Sequence, residues 1–174
     1  MNLSVRKIVM SGILGAIAIL LGVTRLGFIP VPTPAGHATI MHIPVILGGV
    51  LEGPVVGLIT GAIFGLFSFL QPGAPYFADP LVSILPRLFI GIAAYLVYAS
   101  TRRINDTLAA VLAGAVGSAA NTILVMGMIT IRGYLPAEVS LSVGLLHGIP
   151  EMIVAAVLTV ILVKGIRRIR PREE

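Results

Sequence analysis

The sequence predicts an all-α fold, a polytopic membrane protein in which six transmembrane helices form one bundle and both chain ends face the cytoplasm. Of its 174 residues, 57% are hydrophobic and 11% are charged, whereas an ordinary soluble domain has about 25% charged residues. The mean hydropathy is +1.05. The apolar residues form continuous runs without the alternation of barrel strands, which favours helices. We therefore expect one transmembrane domain over residues 1–174 and no separate soluble domain.

The first three predicted helices cover residues 6–26, 38–51 and 54–70. Helix one contains the apolar run from Ile8 to Val23 and ends before Pro30, Pro32 and Pro34. Helix two reaches only about 21 Å at 1.5 Å per residue, less than a hydrocarbon core of about 30 Å. It is therefore predicted to be either short and shielded by its neighbours or partly re-entrant. The turn Glu52-Gly53-Pro54 separates it from helix three.

Helix three carries glycine at positions 53, 57, 61 and 65. A spacing of four residues places these glycines in one stripe, where a neighbouring backbone can approach closely. Packing within the bundle is the expected role, with contact to a partner or a route for a solute as alternatives.

The last three predicted helices cover residues 81–100, 108–131 and 140–165. Pro72 and Pro75 break the chain before the first of them, and Asn105-Asp106 precedes the second. With the amino terminus inside, nine lysines and arginines lie on the inner side, only Arg25 and Arg132 lie outside, and Arg87 lies within a helix. This distribution follows the positive-inside rule for an even number of crossings. It also favours anionic lipid over nucleic acid as the partner of the basic residues.

Four polar residues interrupt the predicted spans: Arg87, Asn121, His147 and Glu151. Each costs at least a few kcal/mol in the bilayer unless it is paired or hydrated, so a functional site is the first hypothesis. On this topology all four lie roughly 9 to 17 Å below the outer helix ends. We therefore expect them to converge in a cavity that binds a solute. A structural Arg87–Glu151 ion pair and a proton relay are the alternatives.

Two outer segments are expected to cover this cavity: Pro30 to His42, and Gln71 to Pro80. His42 and Tyr76 join the predicted substrate-binding residues on this basis. No catalytic residue, metal site or cofactor is predicted. The chain has no cysteine, it lacks a Gly-x-x-x-x-Gly-Lys phosphate loop, and Gly117-Ser118-Ala119 lacks the glycine of an intramembrane serine protease. An enzyme is therefore not expected.

Several motifs resemble the substrate-binding S components of energy-coupling factor (ECF) vitamin transporters. They are His42-Ile43-Pro44, the turn from Leu51 to Gly57, Leu85-Pro86-Arg87, and the stretch from Gly117 to Thr122. The resemblance covers essentially the whole chain. It implies a multi-pass protein of the prokaryotic plasma membrane that binds a vitamin-like solute from outside.

The resemblance also implies partners, namely a transmembrane T component and two ATPases. The small residues matching the family's docking face on helix one are Ser11, Gly12, Gly15 and Ala16, although Ile19 and Leu20 end both rows. Pantothenate is favoured as the substrate, with Arg87 facing its carboxylate, and cobalamin or another vitamin is the alternative.

Two other classes of function compete with this interpretation. One is a self-sufficient secondary transporter or channel that couples to an ion gradient through His147 and Glu151. The other is a structural membrane subunit in which Arg87 and Glu151 hold helices together.

Overall fold

The fold is helical, as predicted, and six helices of ten residues or more lie within the residues that the structure describes. The computed structural model describes residues 4–30 and 37–169. Pro32, Pro34, Arg170 and Arg172, which entered the loop and charge predictions, lie outside the described residues. The elements in chain order are α1 (Val5–Val23), β1 (Phe28–Pro30), β2 (His37–Thr39), α2 (Ile43–Glu52), α3 (Pro54–Leu70), a 3-10 helix (Pro75–Ala78), α4 (Pro80–Ser83), α5 (Leu85–Thr101), α6 (Asp106–Ile131) and α7 (Ala137–Ile169).

Within 4–30 and 37–169, four segments are long and apolar enough to cross a bilayer: α1, α4 with α5, α6, and α7. The apolar helices α2 and α3 are shorter. The residues of α2 from Ile43 to Val50 are all buried by the other helices. A helix of this length is therefore compatible with a membrane location, because other helices and not lipid surround most of it.

Consecutive long helices run in alternating directions. At one end of the bundle, which we call the turn end, Arg6 of α1 pairs with Glu52 beside the α2–α3 turn at 3.3 Å. There also Arg167 of α7 pairs with Asp106 of α6 at 2.7 Å. The start of α1 and the end of α7 thus share the turn end. The β1–β2 hairpin, the 3-10 helix and the α6–α7 connection lie at the other end, called the strand end.

Glycines bring α2, α3 and α5 into backbone contact. A Cβ atom placed on Gly57 of α3 would lie 2.9 Å from the Cα atom of Gly91 in α5. A Cβ atom on Gly49 of α2 would lie 2.1 Å from the carbonyl oxygen of Gly91, and one on Gly61 would lie 2.2 Å from that of Arg87. Three glycines of the predicted stripe, Gly57, Gly61 and Gly65, therefore pack inside the bundle, whereas Gly53 lies in the turn before α3 and a Cβ atom there would meet nothing within 4 Å.

Most helix boundaries differ from the predictions by one to four residues, and two differences change the architecture. The second helix begins at Ile43, not at residue 38, because residues 37–39 pair with Phe28–Pro30 as a short antiparallel hairpin. The fourth predicted helix is divided at Ile84 into α4 and α5. Pro86 explains this break, since proline has no N–H for the Val82 carbonyl and is favoured in the first turn of a helix, here that of α5.

Candidate functional site

A cavity of about 540 Å³ lies at the strand end. Helices α3, α5, α6 and α7 form its walls, and the hairpin and the 3-10 helix form its cover. Five of the six predicted substrate-binding residues line it: Arg87, Asn121, His147, Glu151 and Tyr76. The structure therefore brings together polar side chains that lie up to 75 positions apart in the sequence.

Arg87 is the most unusual residue of the cavity. It is only 4% exposed, and it has no carboxylate partner among the residues that the structure describes. Its Nη1 donates to the Val82 carbonyl at 2.5 Å, the oxygen that Pro86 leaves free. Its Nε atom has no partner in the described part of the chain. The guanidinium carbon lies 5.6 Å from the ring centre of Phe64 and 5.1 Å from that of Phe77.

This environment orients Arg87 without neutralising it. The carbonyl and the two aromatic faces hold the guanidinium in place. A buried cation remains costly until an anion or water compensates it. The geometry therefore suits an anionic group that enters the cavity and takes up the unpaired N–H.

Glu151, in the α7 wall of the cavity, is held by three hydrogen bonds. Its Oε1 accepts from the backbone N–H of Thr39 at 2.6 Å and from the Thr39 hydroxyl at 2.8 Å. His147, one turn away on α7, approaches the same oxygen with Nε2 at 3.0 Å. The carboxylate thus anchors strand β2 to α7. Among the described residues, Glu151 pairs with Thr39 and His147 and does not form the ion pair with Arg87 that was the alternative.

Two further polar atoms of the cavity have no partner within the described residues. They are Oδ1 of Asn121 and Nδ1 of His147. Buried polar atoms in native proteins are nearly always hydrogen-bonded. Unpaired atoms on the wall of a cavity therefore favour a polar ligand or ordered water at this place.

The cover of the cavity is tied down by Asp79. Its Oδ1 accepts from the Leu81 N–H at 2.9 Å and starts α4, while Oδ2 accepts from Arg132 Nε at 2.6 Å and from the Tyr134 hydroxyl at 3.1 Å. The hydrogen bond from Arg132 holds the pKa of Asp79 below its ordinary value. Tyr76 and Phe77, just before it, pack against the cluster of Val82, Val125 and Ile129. The segment from Pro75 to Asp79 is thereby fastened to the α6–α7 connection.

The sixth predicted residue, His42, does not line the cavity. It precedes α2, is fully buried, and has no hydrogen-bond partner for either ring nitrogen among the described residues. Sequence reasoning did not single out Thr39 or Phe64, whereas Phe77 lies in the segment from Gln71 to Pro80 that was predicted to cover the cavity. Thr39 lies in the other segment that was predicted to cover the cavity, from Pro30 to His42. No local pattern marks Phe64 as a contact of Arg87.

The four predicted docking residues of α1 divide between two faces. Ser11 and Gly15 are buried, and a Cβ atom on Gly15 would lie 2.7 Å from Ile63 of α3. Gly12 and Ala16 are exposed, and a Cβ atom on Gly12 would meet nothing within 4 Å. Of the four residues, Gly12 and Ala16 are therefore the ones that a partner can contact.

Comparison with known proteins decides the family. Residues 6–163 match the family model described as "ECF transporter, substrate-specific component". The chain belongs to this family. It is also 29% identical over 159 residues to the pantothenic acid transporter PanT of Lactococcus lactis subsp. cremoris (strain MG1363), with 76% of this chain and 79% of the relative covered.

Family membership confirms the resemblance seen in the sequence motifs. ECF substrate-specific components are transporter subunits and not enzymes, and the apolar helices of this chain agree with a membrane location. The cavity at the strand end is thus the candidate binding site of a transport protein.

Proposed function

We propose that this chain binds pantothenate in the strand-end cavity and delivers it as the substrate-specific subunit of an importer. The observation that carries the proposal is the buried guanidinium of Arg87, which faces a cavity and lacks a carboxylate partner among the described residues. Pantothenate has one carboxylate, which supplies the missing charge. A charge-assisted hydrogen bond in a buried site is about twice as strong as a neutral one.

The remaining polar groups match the rest of this molecule. Pantothenate carries an amide and two hydroxyl groups and has no ring. Asn121 Oδ1 can accept from a hydroxyl or amide donor. Because Nε2 of His147 donates to Glu151, its Nδ1 accepts in the neutral ring and donates in the protonated ring. The apolar walls, which include Phe67, Val125 and Met126, suit its methyl and methylene groups.

The size of the cavity supports pantothenate over cobalamin. A volume of about 540 Å³ lies within the roughly 300 to 1,000 Å³ typical of sites for drug-sized ligands. Cobalamin is several times larger than pantothenate. The similarity to a pantothenic acid transporter points in the same direction.

The proposal includes six crossings, with the turn end in the cytoplasm and the cavity open to the outside. The charges support this orientation, because Lys164, Arg167 and Arg168 cluster at the turn end of α7. A prokaryotic plasma membrane is the proposed location. Energy comes from a T component and two ATPases, and the T component contacts the exposed face of α1 that contains Gly12 and Ala16.

Binding and transport are tested separately. The purified chain in detergent is titrated with pantothenate by calorimetry, with cobalamin as the control ligand, and copurifying small molecules are identified by mass spectrometry. We expect saturable binding of pantothenate alone. Absence of binding, or a preference for cobalamin, would reject the proposed substrate.

Transport is then measured in liposomes. We expect the chain alone to bind labelled pantothenate without accumulating it. Accumulation should require the T component, both ATPases and ATP. Accumulation by the chain alone under an ion gradient would instead establish the secondary transporter.

A further inference from the structure

A second cavity, which we call the lateral groove, lies between α6 and α7. It has a volume of about 540 Å³ and a lining that is almost wholly apolar. Small residues on both helices create it, among them Gly127 on α6 and Gly144 and Gly148 on α7. Thr122 and Met126 line both the lateral groove and the strand-end cavity. These two side chains are therefore a shared wall.

The lateral groove opens on the outside of the bundle. Ile123 and Leu141, which line it, are 68% and 65% exposed. Its α6 wall extends from Ala119 to Ile131, about 18 Å at 1.5 Å per residue. That length is close to half of a hydrocarbon core of about 30 Å. The groove thus has the depth of one leaflet and lies within two helices that can cross the bilayer.

Polar groups occur at the strand end of the groove. Ser140 lines it, is only 4% exposed, and its hydroxyl has no partner in the part of the chain that the structure describes. Arg132 directly follows Ile131 of the lining, and its side chain is 47% exposed even though its Nε is bonded to Asp79. A suitable occupant therefore has a long apolar chain, an oxygen acceptor near Ser140, and a negative charge beside Arg132.

We propose that the lateral groove binds one acyl chain of a phospholipid from the leaflet at the strand end. The ester carbonyl accepts a hydrogen bond from the Ser140 hydroxyl, and the phosphate lies beside Arg132. In the groove, the methylene groups of the acyl chain make closer van der Waals contacts than they make in bulk lipid. Because Thr122 and Met126 form the shared wall, the bound acyl chain packs against side chains that also line the strand-end cavity.

The test uses Gly127→Leu, since a Cβ atom at Gly127 meets nothing within 4 Å and the new side chain fills the groove without displacing either helix. Gly165→Leu is the matched control, because Gly165 has equal space and does not line the groove. Delipidated protein in detergent is titrated with palmitoyl-oleoyl phosphatidylglycerol and examined by native mass spectrometry. We expect about tenfold weaker binding of the first lipid for Gly127→Leu, because the leucine side chain occupies part of the groove and removes packing contacts of the acyl chain. Gly165→Leu should bind like the wild type.

Two further measurements keep the proposal falsifiable. Ser140→Ala should weaken the first lipid about threefold, the order expected for one neutral hydrogen bond. A phosphatidylglycerol with a diazirine in its acyl chain should label the α6 and α7 walls of the wild type more than the exposed face of α1, whether or not Gly127→Leu folds.

Several results would overturn this assignment. Equal lipid affinity of wild type and Gly127→Leu is one, and uniform photolabelling of all exposed helices is another. A wild-type dimer that Gly127→Leu converts to a monomer would assign the groove to a second copy of the chain.

Discussion

Helices α3 and α5 are in contact along most of their length, but the two halves of this pair differ. Toward the turn end, Gly57 and Gly91 bring the backbones so close that no side chain fits between them. Toward the strand end, Phe64 of α3 and Arg87 of α5 line a cavity. Gly61 lies at the transition, where it packs against the carbonyl of Arg87, and Gly65 beyond it still packs against the backbone of Ile84, just before α5.

The two halves have different roles: the glycine half stabilises the fold, and the cavity half forms the proposed binding site. The glycine half satisfies the rules of membrane helix packing, in which small residues allow close backbone contact. The cavity half violates the usual rules, since within the described chain it leaves a buried cation without a carboxylate and several polar atoms without partners. Local violations of this kind are expected at functional sites, where the rest of the fold compensates for their cost. The closely packed half can therefore hold Arg87 in position for a ligand.

The largest expected effect on stability is in the glycine half. Gly91→Ala places a Cβ atom 2.5 Å from the Cα atom of Gly57, and neither backbone can move without separating the helices. We expect the free energy of unfolding to fall by about 3 kcal/mol, near the upper end for overpacking. Thermal unfolding in detergent measures this. Gly12→Ala on the exposed face of α1 is the control, and equal stability of the two variants would contradict the packing account.

A smaller effect is expected where the hairpin is anchored to α7. Thr39→Val removes the hydroxyl donor to Glu151 and keeps the shape of the side chain, so one hydrogen bond to a charged group is lost at a cost of roughly 1.5 kcal/mol. If the hairpin must stay closed over the ligand, pantothenate affinity falls about tenfold. Calorimetry checks this. Thr39→Ser keeps the hydroxyl and should bind normally, and a Thr39→Val protein with full affinity would show that the anchor is irrelevant to binding.

The smallest effect at neutral pH concerns the 3-10 helix over the cavity, which the Asp79–Arg132 pair holds in place. Because Arg132 lowers the pKa of Asp79, this pair stabilises the cover above the ordinary carboxyl pKa and loses its effect as the pH falls through the lowered value. A nitroxide on Ala78→Cys, in a chain without other cysteines, should stay immobile from pH 7 to 5 and become mobile only below about pH 4. Asp79→Asn should give the mobile spectrum at every pH. A wild-type transition between pH 5 and 7 would contradict the sign of the shift.

Much of the fold was predictable because each structural feature has a local physical cause. Continuous apolar runs predicted the long helices, and a spacing of four residues predicted that Gly57 and Gly61 lie on one face. The hairpin was missed since its strands have only three residues each and no clear alternation. The division at Ile84 follows from Pro86 and could have been predicted.

The site was predictable only as a set of residues. Isolated polar residues in apolar spans marked Arg87, Asn121, His147 and Glu151 as a group. Their partners depend on the relative rotation of α3, α5 and α7, which no local pattern contains. The sequence therefore suggested an Arg87–Glu151 pair as an alternative, whereas the fold pairs Glu151 with Thr39 and His147.

The most direct test of the central claim, that Arg87 receives the carboxylate of the substrate, is a double-mutant cycle with a modified ligand. Pantothenate and its alcohol analogue, in which CH₂OH replaces the carboxylate, are titrated by calorimetry into the wild type and Arg87→Gln. We expect the wild type to bind pantothenate about 100-fold more tightly than the alcohol, and Arg87→Gln to bind both with equal, weak affinity. If Arg87→Gln still prefers pantothenate by the same factor, another group binds the carboxylate and the account is wrong.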